Sequence, residues 1–375
     1  MIFSDKELYR YSRHFILPEI GIEGQKKLKD AKVLVVGAGG LGAPVLLYLA
    51  AAGVGTLGIV DDDVVEESNL QRQVLFDTET LGKPKALAAA DRISKLNPYI
   101  KALPQTLRLT SHNALDILAP YDIIIDGTDN FPTRYLVNDA CVLLDKVNVY
   151  GSIFRFEGQV SVFNNLGENS ERGPNYRDLF PEPPPPGMVP SCAEGGVLGV
   201  LPGIVGSMQA NEAIKIITGT GDLLDGKLLL VDAASMDTRK INIRKTGGRE
   251  KIQGLIDYEQ FCNSTGVETP LKEIGAVELK ALMESGKPFM LYDIREPWEH
   301  DLVNIGGKNT SIDGLLEDLK EISENDMAVV YCRSGKRSEQ AIREALTKTA
   351  HEKIFNLRGG LLAWIEEVDA TLKKY

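Results

Sequence analysis

The stretch KVLVVGAGGLG, from Lys32 to Gly42, constrains the fold more than any other part of the sequence. Its apolar residues predict a buried strand, and glycines at 37, 39 and 42 have the G-x-G-x-x-G spacing that turns a strand tightly into a helix. The N–H groups that begin such a helix favour an anion, typically a nucleotide phosphate. The spacing alone does not say which nucleotide binds, or whether one binds at all.

In the first half of the chain, strand-like runs alternate with helical stretches, which is typical of a mostly parallel sheet covered by helices. We predict strands at Val33–Val36, Leu57–Val60, Ala102–Thr106, Asp122–Asp126 and Val147–Tyr150. The later segment KLLLVDAASMDTRKINIRK predicts two more strands, antiparallel and joined by a turn. The predicted fold class is therefore α/β: a Rossmann-like, doubly wound, mostly parallel sheet with an antiparallel extension.

At 375 residues the chain is too long for one ordinary core. We expect a first domain over 1–245, a polar, glycine-containing linker over 246–269, and a second, smaller α/β domain over 270–375. The composition, 43% hydrophobic and 25% charged, is typical of a globular protein. We expect a cytoplasmic protein without a membrane segment, because no apolar run approaches the length of a membrane helix and the first residues do not resemble a signal peptide.

Charge and cysteine content exclude two further classes. A net charge of −11 argues against nucleic acid as the main partner, because binding to nucleic acid depends on neutralising phosphates. The four cysteines, Cys141, Cys192, Cys262 and Cys332, form no C-x-x-C pair, which is typical of free thiols and gives no sign of a cysteine-based zinc site.

The segment 164–194 shows no periodicity and contains a run of prolines, which predicts a long functional loop.

In the second domain, the segment VVYCRSGKRSEQA places Cys332 at the end of a buried strand, before a loop that opens a helix near Ser338. The N–H groups of that loop and the nearby side chains of Arg333, Lys336 and Arg337 favour an anionic sulfur, either a thiolate or a persulfide. The alternative is a buried cysteine with a purely structural role.

The loop separates two kinds of cysteine enzyme. A phosphatase needs arginine at the sixth position after the cysteine to clamp a phosphate, and here that residue is Ser338. The domain instead resembles a rhodanese (sulfurtransferase) domain in LYDIREPWEH, in the six-residue cysteine loop and in NLRGGLLAW, and departs from it in NIGGKNTSI. The resemblance implies that Cys332 carries a persulfide, held by the loop residues Arg333, Ser334, Gly335, Lys336 and Arg337.

Polar residues after the first glycines also point away from hydride transfer. They follow strands or open helices, and they are Asp61, Asn69, Arg72, Lys85, Asp129 and Asn130. Cations together with a carboxylate that can hold Mg²⁺ suit a nucleoside triphosphate attacked at its α-phosphorus, because charge moves onto the leaving pyrophosphate. A nicotinamide site needs none of these groups.

Residues 5 to 245 closely resemble the MoeB/ThiF-type adenylyltransferases, the bacterial relatives of ubiquitin-activating enzymes. The motifs that carry the resemblance are RYSRHFILPEIG, GAGGLG, SNLQRQ, KPKA, TDN, EGQVSVFN, CAEGGVLG and GSMQANEAIK. It implies ATP contacts from Gly40, Asp61, Asn69, Arg72, Lys85, Asp129 and Asn130, with Mg²⁺ at Asp129. It also implies a homodimer in which Arg13 reaches the neighbouring nucleotide. Each residue considered alone also has a purely structural alternative: Asn69 could be a helix cap, Lys85 a surface charge, and Arg13 part of a surface ion pair.

Two further positions follow from this resemblance. Cys192 matches the cysteine of the CAEGG motif, and we expect it to take part in the reaction, with a buried thiol as the alternative. Many members of the family hold zinc with two C-x-x-C pairs. Here Asn175 and Asp178 stand in place of one pair, and TGGRE, 246–250, contains none. We therefore predict no zinc, and a loop and a domain end that are less restrained.

Together, the two domains predict an ATP-dependent adenylyltransferase fused to a sulfurtransferase. The expected partner is a ubiquitin-like sulfur-carrier protein ending in Gly-Gly, whose thiocarboxylate would serve molybdopterin, thiamine or thiolation chemistry. The persulfide donor would be a cysteine desulfurase or thiosulfate. The alternatives are a nicotinamide-dependent oxidoreductase with a thiol regulatory domain, and a non-enzymatic scaffold that keeps both folds.

Overall fold

The computed structural model describes residues 2–167, 170–184, 196–263, 271–321, 323, 326–349, 351 and 353–375. The chain divides into two compact units, Met1–Thr265 and Gly266–Tyr375. Among the described residues, no helix combines the length and apolar character needed to cross a membrane.

An eight-stranded sheet forms the centre of the first unit. Its strands are β1 (Lys32–Val36), β2 (Thr56–Val60), β3 (Lys101–Gln105), β4 (Ile123–Asp126), β5 (Val147–Phe154), β6 (Glu157–Phe163), β7 (Lys227–Asp232) and β8 (Thr238–Asn242). The spatial order is β3-β2-β1-β4-β5-β6-β7-β8. Strands β1 to β5 pair in parallel, and β6 to β8 extend the sheet antiparallel. The predicted fold class is confirmed.

Helices cover both faces of this sheet. They are α1 (Asp5–Arg10), α2 (Ser12–Phe15), α3 (Gly21–Asp30), α4 (Gly42–Ala52), α5 (Lys85–Leu96), α6 (Ala114–Leu118), α7 (Phe131–Leu143), α8 (Tyr176–Leu179), α9 (Leu201–Thr218) and α10 (Tyr258–Asn263). Val33 and Val35 of β1 belong to the core formed with α4, α5 and α9, whereas Leu34 and Val36 belong to the core formed with α6 and α7. Burial on both faces explains why the strand is continuously apolar.

The turn after β1 depends on glycine. Gly37 has a φ of 89°, in the left-handed region, and a Cβ on Gly42 would lie 1.9 Å from the Gly37 carbonyl oxygen. Only glycine lets α4 begin this close to the end of β1. The strand order reverses between β1 and β4, and ligands of doubly wound sheets bind at such a switch point, outside the carboxyl ends of the strands.

Hydrogen bonds connect the described part of the long loop to the end of the first domain. Asp178 Oδ1 accepts hydrogen bonds from the amides of Thr246, at 2.6 Å, and Gly248, at 3.0 Å. Asp178 Oδ2 accepts from the amide of Asn175 at 2.9 Å. One carboxylate thus joins the two segments in which many relatives place their cysteine pairs, because its two oxygens accept from both sides.

The segment expected to be a linker, 246–269, lies partly within the first unit. Besides the bonds of Thr246 and Gly248, the hydroxyl of Tyr258 on α10 donates to Asp139 Oδ2 on α7 at 2.8 Å. Arg177 on α8 binds the same carboxylate through Nη2 at 2.7 Å. The described residues 246–263 therefore pack as part of the first unit, and its compact part extends beyond residue 245.

The second unit is a smaller α/β domain, as predicted, and its sheet is parallel. Its strands are β9 (Lys272–Ile274), β10 (Met290–Asp293), β11 (Lys308–Asn309), β12 (Ala328–Tyr331) and β13 (Ile354–Leu357), in the order β11-β10-β12-β13-β9. Its helices are α11 (Ala276–Glu284), α12 (Pro297–Leu302), α13 (Ile312–Glu321), α14 (Lys336–Lys348) and α15 (Gly360–Glu367). The centre of the sheet, β12, is buried along its whole length.

Candidate active sites

A cavity of about 590 Å³ opens at the carboxyl ends of β1, β2 and β4, where the switch point predicts a ligand. Its volume lies in the range of about 300–1,000 Å³ that is usual for small-ligand pockets. Six predicted residues from separate parts of the sequence line it: Gly40, Asp61, Arg72, Lys85, Asp129 and Asn130. Asn69 and Arg13 are not among the described lining residues.

Asp61 and Lys85 form the β2 side of this cavity. Asp61 Oδ2 accepts a hydrogen bond from the Ala38 amide in the glycine turn at 2.8 Å. Burial raises the pKa of the Asp61 carboxyl above its ordinary value, although the Ala38 and Asp63 amides and the charge of Lys85 oppose this shift. Lys85 is buried and pairs with Asp63 Oδ2 at 2.9 Å, so it is not a solvated surface charge.

The segment around Asn69 and Arg72 is a 3-10 turn, Glu67–Asn69. Asn69 Oδ1 accepts from the Glu66 amide at 3.3 Å, and the main-chain oxygen of Asn69 accepts from the amides of Arg72 and Gln73. Asn69 stands at the third position of a capping box whose N-cap residue is Glu66, and its bonds hold the turn that leads to Arg72. Arg72 is half-buried, and its Nη1 donates to the Ser68 main-chain oxygen at 3.2 Å.

Asp129 and Asn130 lie after β4, where the chain enters α7. Both are exposed, and both line the cavity. The side chain of Asn130 accepts from the Thr133 amide at 2.9 Å and so caps α7. The Asp129 carboxylate lies beside this helix start and can hold a hard cation such as Mg²⁺, which prefers oxygen ligands.

Gln73 and Arg134 also line the cavity, and the sequence analysis did not select them. Arg134 is buried, and its Nη2 donates to the Thr128 main-chain oxygen at 3.2 Å. Its Nε lies 3.9 Å from Asp126 Oδ2, and neither atom, nor Gln73 Oε1, has a hydrogen-bond partner among the described residues. Gln73 ends the motif SNLQRQ quoted above, whereas Arg134 lies four residues after the motif TDN.

Arg13 is not among the residues that line this cavity. Arg13, on α2, is exposed. Large apolar side chains are also exposed in the same N-terminal region and on α4: Tyr9, Ile16, Leu17, Ile22 and Tyr48. Cys192 lies outside the described residues.

The second site surrounds Cys332, directly after β12. The cysteine is fully buried, and its Sγ lies 3.4 Å from both the amide nitrogen and the hydroxyl oxygen of Ser338. Ser338 Oγ also lies 2.6 Å from Asn356 Oδ1, within a buried cluster. Ser338, in the first turn of α14, therefore contacts the sulfur through two of its atoms. It was not among the functional residues predicted from the sequence.

The predicted loop residues have different surroundings. Ser334 and Lys336 are exposed, and Gly335 has a φ of 88°, which lets the chain turn into α14. Arg337 donates Nη1 and Nη2 to the two carboxylate oxygens of Glu299, both at 2.7 Å, and Arg333 Nε donates to the main-chain oxygen of Tyr375 at 2.6 Å. The charge of Arg337 is thus paired, and Arg333 is held by a main-chain oxygen.

The glycine pair of the NLRGG segment supports the loop from the other side. The main-chain oxygen of Cys332 accepts from the Leu361 amide at 2.9 Å. A Cβ on Gly360 would lie 2.4 Å from that same oxygen. The close packing of this turn against the cysteine loop therefore requires glycine at position 360, and it fixes the backbone at Cys332.

Both domains match known protein families. Residues 11–250 match the model of the ThiF family, and residues 275–367 match that of the rhodanese-like domain. The chain belongs to the ThiF family, in a group of two-domain adenylyltransferase/sulfurtransferases that carry a rhodanese-like domain.

Two relatives extend over most of this chain. A probable adenylyltransferase/sulfurtransferase MoeZ of Mycobacterium tuberculosis is 50% identical over 99% of this chain and 96% of its own length. The adenylyltransferase and sulfurtransferase MOCS3 of Sus scrofa is 40% identical over 99% of this chain and 88% of its own. A sulfur carrier protein adenylyltransferase of Thermus thermophilus is 55% identical over 70% of this chain and 99% of its own. These relatives do not favour a nicotinamide oxidoreductase.

Solved structures share the fold of the first unit at lower identity. E. coli MccB matches with a TM-score of 0.57 and 22% identity over 66% of this chain and 72% of its own. A crystal structure of E. coli MccB with ATP matches with a TM-score of 0.52 and 22% identity over 65% and 73%. At this identity the likeness establishes the fold alone.

Proposed function

We propose that the chain activates the terminal carboxylate of a ubiquitin-like sulfur-carrier protein with ATP and then transfers sulfur to it from a persulfide on Cys332. The observation that carries the adenylation half is the gathering of six predicted polar and glycine residues around one cavity at the switch point. The sulfur-transfer half rests on Cys332, whose Sγ lies within hydrogen-bonding distance of the amide and the hydroxyl of Ser338 at the start of α14.

In the first half-reaction, the carrier carboxylate attacks the α-phosphorus of ATP and pyrophosphate leaves. Gly40 and the α4 N-terminus cradle phosphate, Asp61 binds the ribose, and Arg72 and Lys85 neutralise charge that moves to the pyrophosphate. Mg²⁺, held by Asp129, would screen the phosphates. Asn69 and Asn130 hold the segments that carry Arg72 and Asp129. Polar atoms without partners on Gln73 and Arg134 fit a ligand rich in hydrogen-bonding groups.

In the second half-reaction, the Cys332 persulfide attacks the acyl carbon and AMP leaves, which gives an acyl disulfide. A thiol then attacks the sulfur of Cys332, releases the carrier thiocarboxylate and forms a disulfide with Cys332. Two further thiols reduce that disulfide: the first forms a mixed disulfide and releases one cysteine, and the second releases the other cysteine as the two external thiols become a disulfide. The acyl carbon is attacked by the Cys332 persulfide directly or after a transfer that involves Cys192. The Ser338 amide and hydroxyl, with the loop residues 333–337, stabilise the anionic sulfur of Cys332.

The working form is a homodimer in which Arg13 reaches the nucleotide of the neighbouring subunit. Support comes from the exposed apolar side chains of the N-terminal helices, which lie close to Arg13 in sequence. The thiocarboxylate serves molybdopterin, thiamine or thiolation chemistry according to the carrier, and the sulfur comes from a cysteine desulfurase or thiosulfate. Zinc takes no part.

Two assays test the halves separately. Carrier-dependent ATP–pyrophosphate exchange is expected in the wild type and should disappear in Asp129→Ala, while thiosulfate-to-cyanide transfer should disappear in Cys332→Ala. Each variant is the control for the other, because Asp129→Ala should keep sulfur transfer and Cys332→Ala should keep exchange. Exchange absent with every Gly-Gly carrier tested, or bound NAD found by mass spectrometry in its place, would refute the adenylation half.

A further inference from the structure

Tyr375 contacts the groups that hold both ends of the cysteine loop. At one end, its main-chain oxygen accepts from Arg333 Nε at 2.6 Å. At the other end, its hydroxyl donates to Glu299 Oε1 at 2.8 Å, the carboxylate that binds Arg337 bidentately. One residue is therefore bonded directly to the first arginine of the loop and, through Glu299, to the last.

The hydroxyl of Tyr375 is itself held by a buried ion pair. It accepts from Arg295 Nη1 at 2.6 Å. Arg295 is 2% exposed, and it donates to both oxygens of Asp293, at 2.9 Å from Nε and 2.6 Å from Nη2. A planar guanidinium in a bidentate pair has little freedom to move, so this pair gives Tyr375 a rigid attachment at the end of β10.

The ring of Tyr375 adds packing to these polar bonds. The guanidinium carbons of Arg333 and Arg295 lie 5.5 Å and 5.9 Å from its centroid, and the Trp298 ring lies 6.0 Å away, edge to face. Distances of this size are those of cation–π and aromatic contacts. Tyr375 thus orients Arg333 through both its ring and its main chain.

We propose that Tyr375 is a positioning residue for sulfur transfer: it fixes Arg333 and Arg337 at the two ends of the cysteine loop, where their charges act on the sulfur and on an approaching anionic sulfur donor. The inference rests on the proposed sulfur transfer, which does not assign this residue. Burial would raise the pKa of Glu299, but hydrogen bonds from Arg337 and Tyr375 lower it to about 2, so its carboxylate is charged throughout the working range.

Tyr375→Phe tests the proposal because it removes the hydroxyl and keeps the ring. We expect the KM for thiosulfate to rise about fivefold and kcat to change by less than about twofold, since a bond to a charged pair is lost but the cysteine remains. Tyr292→Phe is the matched control. Its hydroxyl is buried in the same unit without a hydrogen-bond partner among the described residues, and we expect wild-type kinetics.

A second measurement does not depend on sulfur transfer. The time profile of Cys332 alkylation by iodoacetamide, followed on its peptide by mass spectrometry, should be slower in Tyr375→Phe than in the wild type, and slower still in Tyr375→Ala. The inference is overturned if both KM and the alkylation profile stay at wild-type values, or if kcat falls only with the folded fraction. A wild type that alkylates normally but transfers no sulfur would instead refute the proposed function.

Discussion

The two sites of this chain differ in how their charged groups are paired. Arg134 lines the cavity of the first unit, its Nε lies 3.9 Å from Asp126 Oδ2, and neither atom has a hydrogen-bond partner among the described residues. Around Cys332, Arg337 binds Glu299 through two bonds of 2.7 Å, and Arg295 binds Asp293 equally closely. The first site thus has polar atoms without hydrogen-bond partners among the described residues, whereas the charged groups Arg337 and Arg295 near the second site are already paired.

This difference matches the size of what each site must bind. Buried polar atoms without partners cost free energy unless a ligand or water satisfies them, so the first site is suited to a large polar ligand such as a nucleotide. The second site has to stabilise one sulfur atom. It does so with a backbone and charges that are already fixed before any sulfur arrives, which is the meaning of a preorganised site.

The largest effect is expected near Cys332, where the pairing of Glu299 should make the free energy of unfolding depend on pH. Its pKa is lowered to about 2 in the folded protein, against a burial effect that would raise it. A lowered pKa stabilises the fold above the unfolded value of 4.5, and that stability is lost as pH falls toward 2. We expect Glu299→Gln to lose about 3 kcal/mol of unfolding free energy at pH 6 but only about 1 kcal/mol at pH 3.

The measurement is urea unfolding followed by tryptophan fluorescence, which reports on the second unit because both tryptophans, Trp298 and Trp364, belong to it. Glu339→Gln is the matched control. Its pair with Arg343 is well exposed, and it should cost less than about 0.5 kcal/mol at either pH. Equal losses for Glu299→Gln at both pH values would show that the carboxylate is not charge-paired as the structure indicates.

Binding of MgATP should stabilise the first unit, which contains the cavity, and should leave the second unit unchanged. With MgATP at about 100 times its Kd, linkage predicts about 2.7 kcal/mol of added stability for the first unit. Hydrogen exchange measured by mass spectrometry should slow in peptides that contain β1 and β4, while peptides of β12 stay unchanged. Equal protection in both units, or none in the first, would remove the contrast between them.

The Asp178 carboxylate joins two segments of the first unit by accepting hydrogen bonds from main-chain amides on both. Its position is one of those where the resemblance described above implies a zinc-binding cysteine pair in many members of the family. Asp178→Ala leaves the amides of Thr246 and Gly248 without this acceptor, and we expect a loss of about 2 kcal/mol in the first unit. Addition of EDTA to the wild type should leave the midpoint of unfolding unchanged. Asp91→Ala, which breaks an exposed pair with Lys95, is the control and should cost little. A fall in stability with EDTA would reveal a metal clip.

The sequence predicted the sheet, and it selected six residues that line one cavity, because both depend on local patterns. The apolar run 33–36 and the glycine spacing specify the β1 turn within a few residues of each other, and the motif residues follow strand ends. Arg134 and Gln73 were not selected, although Gln73 stands in the quoted motif SNLQRQ. Their significance lies in burial without partners, and burial depends on distant residues such as Tyr150 packed near Arg134.

The partners of the cysteine loop could not be predicted for a similar reason. Glu299 lies 38 residues before Arg337, and the Tyr375 hydroxyl bonds to it across 76 residues of sequence. The loop sequence suggested unpaired positive charge at Arg333 and Arg337. The fold brings distant groups onto both side chains, and pairings at such separations leave no periodic signal in the sequence.

The smallest predicted effect concerns Ser338, whose hydroxyl lies 3.4 Å from Cys332 Sγ. Ser338→Ala removes the hydroxyl but keeps the amide donor, so thiosulfate-to-cyanide transfer should slow about tenfold, which is the loss expected for one hydrogen bond to an anion. Ser338→Thr should restore most of the rate, whereas Ser285→Ala, at an exposed helix end in the same unit, should not change it. A wild-type rate in Ser338→Ala would mean that the backbone alone stabilises the sulfur, and that the paired side chains around the loop serve its shape more than its chemistry.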